Sequence, residues 1–203
     1  MLRAFLHLNY LKKRGIKYYG RGGLTVSKAF DYVKRTKKTL AVIFIIWLAL
    51  IFIAPLTLPS GSVEELAGSV GNMDNMDVIS EMNPLAAVMY ALGDINCHQM
   101  ASNSIFINGN EMPFCIRDTG IFIGLAVGSL ISLFLAPKFR WTALIILILP
   151  ILLDGGAQMI SDYVSFNELR LVTGILCGIG VTYFLGYLAE NAVKKVREQA
   201  QKS

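Results

Sequence analysis

The sequence predicts an all-α, polytopic membrane helix bundle with four spanning helices plus one short re-entrant or interfacial helix. Three observations carry that prediction. The 203 residues are 54% hydrophobic and only 16% charged, against roughly 25% charged in a soluble domain. Four runs nearly free of charge are each long enough to cover much or all of about 30 Å of hydrocarbon. The basic residues, which give a net charge of +5, gather at the two ends of the chain and are not spread over a surface. That clustering argues against a nucleic-acid partner.

Residues 1–38 read as a basic cytoplasmic arm. It holds eleven of the 19 Lys+Arg residues, with Leu2, Phe5, Leu8 and Leu11 at a spacing that also fits an interfacial helix on anionic lipid. The bundle is expected over 39–192, and 193–203 is a basic cytoplasmic tail. The first span starts at Thr39; Thr39 to Leu58 is apolar, and no charge appears before Glu64. Its basic flank is too long and its apolar run too extended for a cleaved signal, so a retained anchor is expected.

Asn83 followed by Pro84 is a helix start, with an N-cap side chain and a proline at the first helical position. The spacing predicts a helix from Pro84 to about Met100, although Leu85 to Leu92 is too short an apolar run to cross. Charge decides its side. If this helix stays on one face, 17 of the 19 cations are cytoplasmic and Arg117 and Arg170 lie outside; if it crosses, 13 lie inside and 6 outside. The positive-inside rule favours the first arrangement, with both termini cytoplasmic in a multi-pass cell-membrane protein. The remaining spans are Thr119 to Pro137, Trp141 to Ile160 and Leu171 to Ala189.

This topology gathers polar residues near the outer face. Asp154 lies inside the hydrocarbon slab, where an unpaired aspartate costs about 3 kcal/mol. Gln158 and Asp162 follow at helical spacing on the same face. Arg117 and Arg170, the two outer cations, are its expected counter-ions. Such a set can hold a phosphate or carboxylate head group through arginine while an acid or imidazole moves protons. The catalytic candidates are therefore Asp154, His98 and Asp118. The ligand-binding candidates are Arg117, Arg170, Gln158, Gln99 and Asn167. The plainer alternative is an ion pair that only fixes helix register.

Gly155 and Gly156 suit a loosened helix beside Asp154. Gly120, Gly124 and Gly128, with Gly174 and Gly178, form small-residue stripes that bring their two helices together or join a second copy. Cys177 reads as an inert buried thiol. Cys97 and Cys115 read first as a disulfide or free thiols; the alternative is zinc held by Cys97, His98, Cys115 and Asp118. An Asp94–His98 pair is the simplest account of that histidine.

Four ordered runs, CHQ at 97 to 99, CIRDTGIFIG from Cys115, LPILLDGGAQ from Leu149 and FNELRLVTGILCG from Phe166, resemble a prokaryotic integral membrane family, domain of unknown function 2085. The resemblance covers about 84–186. The family pattern more often has a cysteine where this chain has Asp118, and an arginine-serine pair where it has Asn103 and Ser104, which weakens the thiol or zinc reading. The resemblance implies that the polar positions are the family's own signature, and it brings no activity. Function is therefore read from the residues: an enzyme acting on a lipid or isoprenoid-phosphate head group, or a non-enzymatic binding, transport or complex subunit using the same site. No nucleophile motif or P-loop favours the enzyme. The expected partners are membrane lipid, an anionic head group and a second copy of the chain.

Overall fold

A computed structural model describes residues 26–202 apart from 67, 136 and 137; the interfacial reading of the first 25 residues lies outside these. In chain order the elements are α1 (Val26–Leu56), α2 (Met76–Ser80), α3 (Pro84–Asn96), a 3₁₀ turn (Ala101–Asn103), β1 (Phe106–Ile107), β2 (Asn110–Glu111), α4 (Ile116–Phe134), α5 (Trp141–Ile160) and α6 (Asn167–Lys202). Four segments are long and apolar enough to span a membrane: Asp31–Leu56, Ile116–Phe134, Trp141–Ile160 and Asn167–Ala192. The architecture is the helical membrane bundle that the apolar runs predict.

The helix limits differ from expectation where local chemistry intervenes. The charge-free run reaches Val63, yet α1 stops at Leu56, because Pro55 occupies its last turn and Pro59 with Gly61, at φ +68, turns the chain. At its other end α1 extends back into the basic arm, which contains no helix breaker from Val26 to Lys38. The last helix likewise continues from the final span into the basic tail as far as Lys202.

α4 and α6 pack backbone to backbone. A methyl group on Gly124 would run into the carbonyl oxygen of Ile175, and one on Gly178 into that of Ile121. Only glycine permits this approach, so the small-residue stripes are spent within one chain. α5 lies at the edge of the bundle: Leu144 and Asp154 are its buried residues, and Ile146, Leu152 and Leu153 are more than 60% exposed, as a lipid-facing surface requires.

Residues 57–115 form a folded cap over one end of the bundle. Asn83 accepts a hydrogen bond from the Ala86 amide at 3.1 Å, capping α3 behind Pro84 as the sequence predicts. α3 is 13 residues long, about 20 Å, and lies in the cap. It ends at Asn96, short of the expected Met100, because Cys97 is extended and Gln99 turns inward to bond Pro113. Asn108 (φ +55) and Gly109 (φ +73) make the tight turn of a two-residue hairpin, with Phe106 opposite Glu111 and Ile107 opposite Asn110. Asn-Gly favours this turn because both central residues need positive φ.

The cap's apolar core, including Leu58, Val63, Leu66, Ile79, Met89, Tyr90, Met112 and Phe114, is continuous with Ile51 and Ala54 of α1. A buried polar network runs through it. Glu111 accepts from Ser104 Oγ at 2.7 Å and from the Leu66 amide at 3.1 Å, and Asn110 Nδ2 donates to the Pro55 and Pro59 carbonyls. Burial pushes the Glu111 carboxyl above the usual glutamate range, against the pull of those donors, and burial and the nearby Glu111 push Tyr90 up.

At the other end of the bundle Lys37 forms an ion pair with Glu190 at 2.7 Å and donates to the Ser132 carbonyl, tying together α1, α6 and α4. Beside it Phe139 stacks on Tyr187 and Tyr183 at centroid distances of 4.0 and 5.2 Å. Aromatic groups at this level suit a membrane–water interface.

Candidate functional site

α4, α5 and α6 meet just beneath the cap, and there Arg117 Nη2 lies 2.6 Å from Asp154 Oδ2. Arg117 is in the first turn of α4, which begins at Ile116 and not at Thr119, so the arginine projects from a helix and not from a loop. The carboxylate also receives the Tyr163 hydroxyl at 3.4 Å. Asp154 is 6% exposed. A buried carboxylate in this setting is stable only with such partners.

Donors outnumber acceptors around this pair. Arg117 Nε, Gln158 Nε2 and Arg170 Nε are all buried and have no hydrogen-bond partner among the described residues. Arg170, in the first turn of α6 and 8% exposed, forms no ion pair among the described residues, which corrects its expected role as a second counter-ion of Asp154. The physical reason is that Arg117 and Tyr163 already occupy the carboxylate. A methyl on Gly155 or Gly156 would meet nothing within 4 Å, so there is space beside the acid. The helix continues through both glycines to Ile160.

The other candidates lie elsewhere. Asp162 is exposed. Asn167 donates to the Ser102 carbonyl at 3.0 Å, fastening α6 to the cap. Gln99 is fully buried: its Nε2 donates to the Pro113 carbonyl at 2.9 Å and its Oε1 accepts from Asn75. It therefore holds the cap together. His98 is exposed and makes no hydrogen bond or ion pair to Asp154 or Arg117 among the described residues. Nor does it pair with Asp94, which is fully buried and accepts from the Asn75 amide and side chain at 3.1 and 2.6 Å.

On the neighbouring face of the first turn of α4 is a second group. Cys97, Cys115 and Asp118 bring their ligand atoms within 4.8 Å of one another, without His98. The Cys115 thiol donates to Asp118 at 3.3 Å, and its amide donates to Cys97 Sγ at 3.4 Å. Both thiols are free. Beside them is a cavity of about 310 Å³ lined by Asp118, Asn96, Leu92, Trp47, Phe114 and Phe122.

An uncharacterized protein of Methanocaldococcus jannaschii is 36% identical over 107 residues, covering 50% of this chain and 68% of that protein. Residues 97–184 match the family described as predicted membrane protein, DUF2085. The chain belongs to the DUF2085 family. A further uncharacterized protein, from Methanothermobacter thermautotrophicus, is 30% identical over 88 residues, covering 42% of this chain and 79% of its own length. No solved structure matches the chain. The DUF2085 segment contains both polar groups of the first turn of α4 together with Asp154, Gln158 and Arg170.

Some contributors were missed by sequence reasoning. Tyr163 lies just after α5 in a stretch with no distinctive pattern. Lys37 was absorbed into the basic arm, although Glu190, an acid near the end of an apolar helix, marks its partner. Asn108-Gly109 was a readable hairpin signal.

Proposed function

We propose that this DUF2085 protein binds an anionic head group, a phosphate of lipid or isoprenoid class, against Arg117, Gln158 and Arg170 near the outer membrane face. The observation that carries the reading is the surplus of buried donors: three N–H groups without acceptors around a single ion pair. Buried donors left unmade cost about 1–3 kcal/mol each, and a phosphate offers several acceptors that suit guanidinium groups. Asp154 would then accept or return a proton on the bound head group, which is the enzymatic form of the reading.

The outer location rests on charge. With the cap outside, Arg117 and Arg170 are the two outer cations and the other 17 flank the cytoplasmic side. Both termini are then cytoplasmic, as an even number of spans requires.

Lipid extraction and native mass spectrometry of detergent-purified protein test the binding. The expected result is a phosphate-bearing amphiphile in the wild type, lost in Arg117→Ala and in Arg170→Met. Undiminished lipid in both variants would remove the reading.

A further inference from the structure

We propose that Cys97, Cys115 and Asp118 form a binding site for a thiophilic divalent cation of the zinc class, whose remaining coordination position opens into the aromatic-lined cavity. This site is separate from the head-group site and does not depend on it.

The donor set is the first argument. Two thiols and one carboxylate are ligands that zinc accepts together, and three protein ligands leave a tetrahedral ion one position for water or a substrate. The carboxylate makes the set less suited to a purely sulfur-seeking ion such as Cu(I). Geometry is the second. Bond lengths of about 2.3 Å to sulfur and 2.0–2.2 Å to oxygen put neighbouring ligand atoms about 3.5–3.8 Å apart in a tetrahedron. Here Cys115 Sγ and Asp118 Oδ2 are 3.3 Å apart, and no pair in the trio exceeds 4.8 Å. Side-chain rotation of about an ångström closes the set.

The ligands are also held from separate elements. Cys97 ends α3, and Cys115 and Asp118 start α4, so an ion would lock the cap to the bundle. Gly93 allows this approach: a methyl there would collide with the Pro113 carbonyl. The Cys115 amide donates to Cys97 Sγ, a hydrogen bond from outside the ligand set of the kind that orients metal ligands.

The cavity supplies the second, independent observation. Asp118 lies in its wall, opposite Trp47, Phe114 and Phe122. Trp47 has a buried indole N–H with no acceptor among the described residues. A group bound at the open position would meet the aromatic surface of Trp47, Phe114 and Phe122, which suits an apolar molecule. Metal uptake is balanced by loss of a proton from each thiol, since the thiolate is the ligand.

The test uses full-length protein in detergent, purified without chelator and then loaded with Zn²⁺ or Co²⁺. The expected result is one metal per chain, with thiolate-to-cobalt charge-transfer absorption and tetrahedral d–d bands. Cys97→Ser and Cys115→Ser each abolish these bands, Asp118→Asn weakens binding by roughly 10- to 100-fold, and His98→Ala and Cys177→Ser leave it unchanged. Should the cysteine variants misfold, the wild-type cobalt spectrum still decides. A spectrum without thiolate bands overturns the proposal. So does a Cys97–Cys115 disulfide in the isolated protein that yields no metal binding after reduction.

Discussion

The cap and the Arg117–Asp154 site both bury charge and amide groups, yet they treat them in opposite ways. In the cap each polar side chain of the central network has its partner: Glu111 is met by Ser104 and Leu66, Asp94 by Asn75, and Gln99 by Pro113. At the site the single acid is satisfied and three donors are not. A closed network specifies structure, whereas a one-sided excess of donors is a structure awaiting an acceptor. The difference separates a closed polar core from a donor-rich cluster, and it is the basis of the proposed head-group site.

That contrast can be broken by mutation, and the largest effect is expected at its one shared feature, a paired buried charge. Arg117→Ala leaves the buried Asp154 charge with only the Tyr163 hydroxyl and should cost about 3–5 kcal/mol, read as a fall in thermal unfolding midpoint in detergent. Adding Asp154→Asn should restore most of it. If the single variant is as stable as wild type, the ion pair is not structural. Next is Glu111→Ala, expected to cost about 2–4 kcal/mol through lost packing and two unpaired donors, with head-group content per folded molecule unchanged. Loss of ligand in that variant would erase the distinction between the regions.

Gly124→Ala should cost about 1–3 kcal/mol by forcing α4 off the Ile175 carbonyl, seen by the same melting assay. A gentler probe is pH. Because burial raises the folded Glu111 carboxyl above its unfolded value, the folded state favours the proton. Stability from this group is complete below the ordinary glutamate range and declines as pH rises through the raised value. Glu111→Gln should flatten that slope, measured as unfolding midpoint against pH. The smallest change in stability is expected for Arg170→Met and Gln158→Leu, which remove unmet buried donors and should leave the ligand-free protein unchanged or more stable by about 1 kcal/mol. A large destabilisation there would show hidden acceptors and undo the donor-excess argument.

The legibility of the molecule follows the same division. The four spans are readable because lipid demands long apolar helices, and the Asp154–Arg117 contact because a lone acid in hydrocarbon requires a partner. The α4–α6 seam could be read from glycines at a spacing of four. The cap could not. Its bonds join residues far apart in sequence, such as Glu111 to Leu66 and Asn110 to Pro55, and no local periodicity announces them. Gln99 shows the consequence: a polar residue beside a cysteine and a histidine looks like a ligand donor, and only the fold reveals that Pro113 and Asn75 already claim it. For Arg170 charge and depth were visible, but not that Tyr163 would complete the carboxylate first.

α5 touches the rest of the protein along a narrow line, and its broad outer flank, with Ile146, Leu152 and Leu153, faces acyl chains. Asp154 therefore sits one helix thickness from the lipid phase. A molecule with a greasy tail can reach this depth sideways, keeping the tail among its fellows while only the polar end enters the protein. Under the proposed head-group binding, such an amphiphile would not have to be carried through water, and its exchange would require α5 alone to yield.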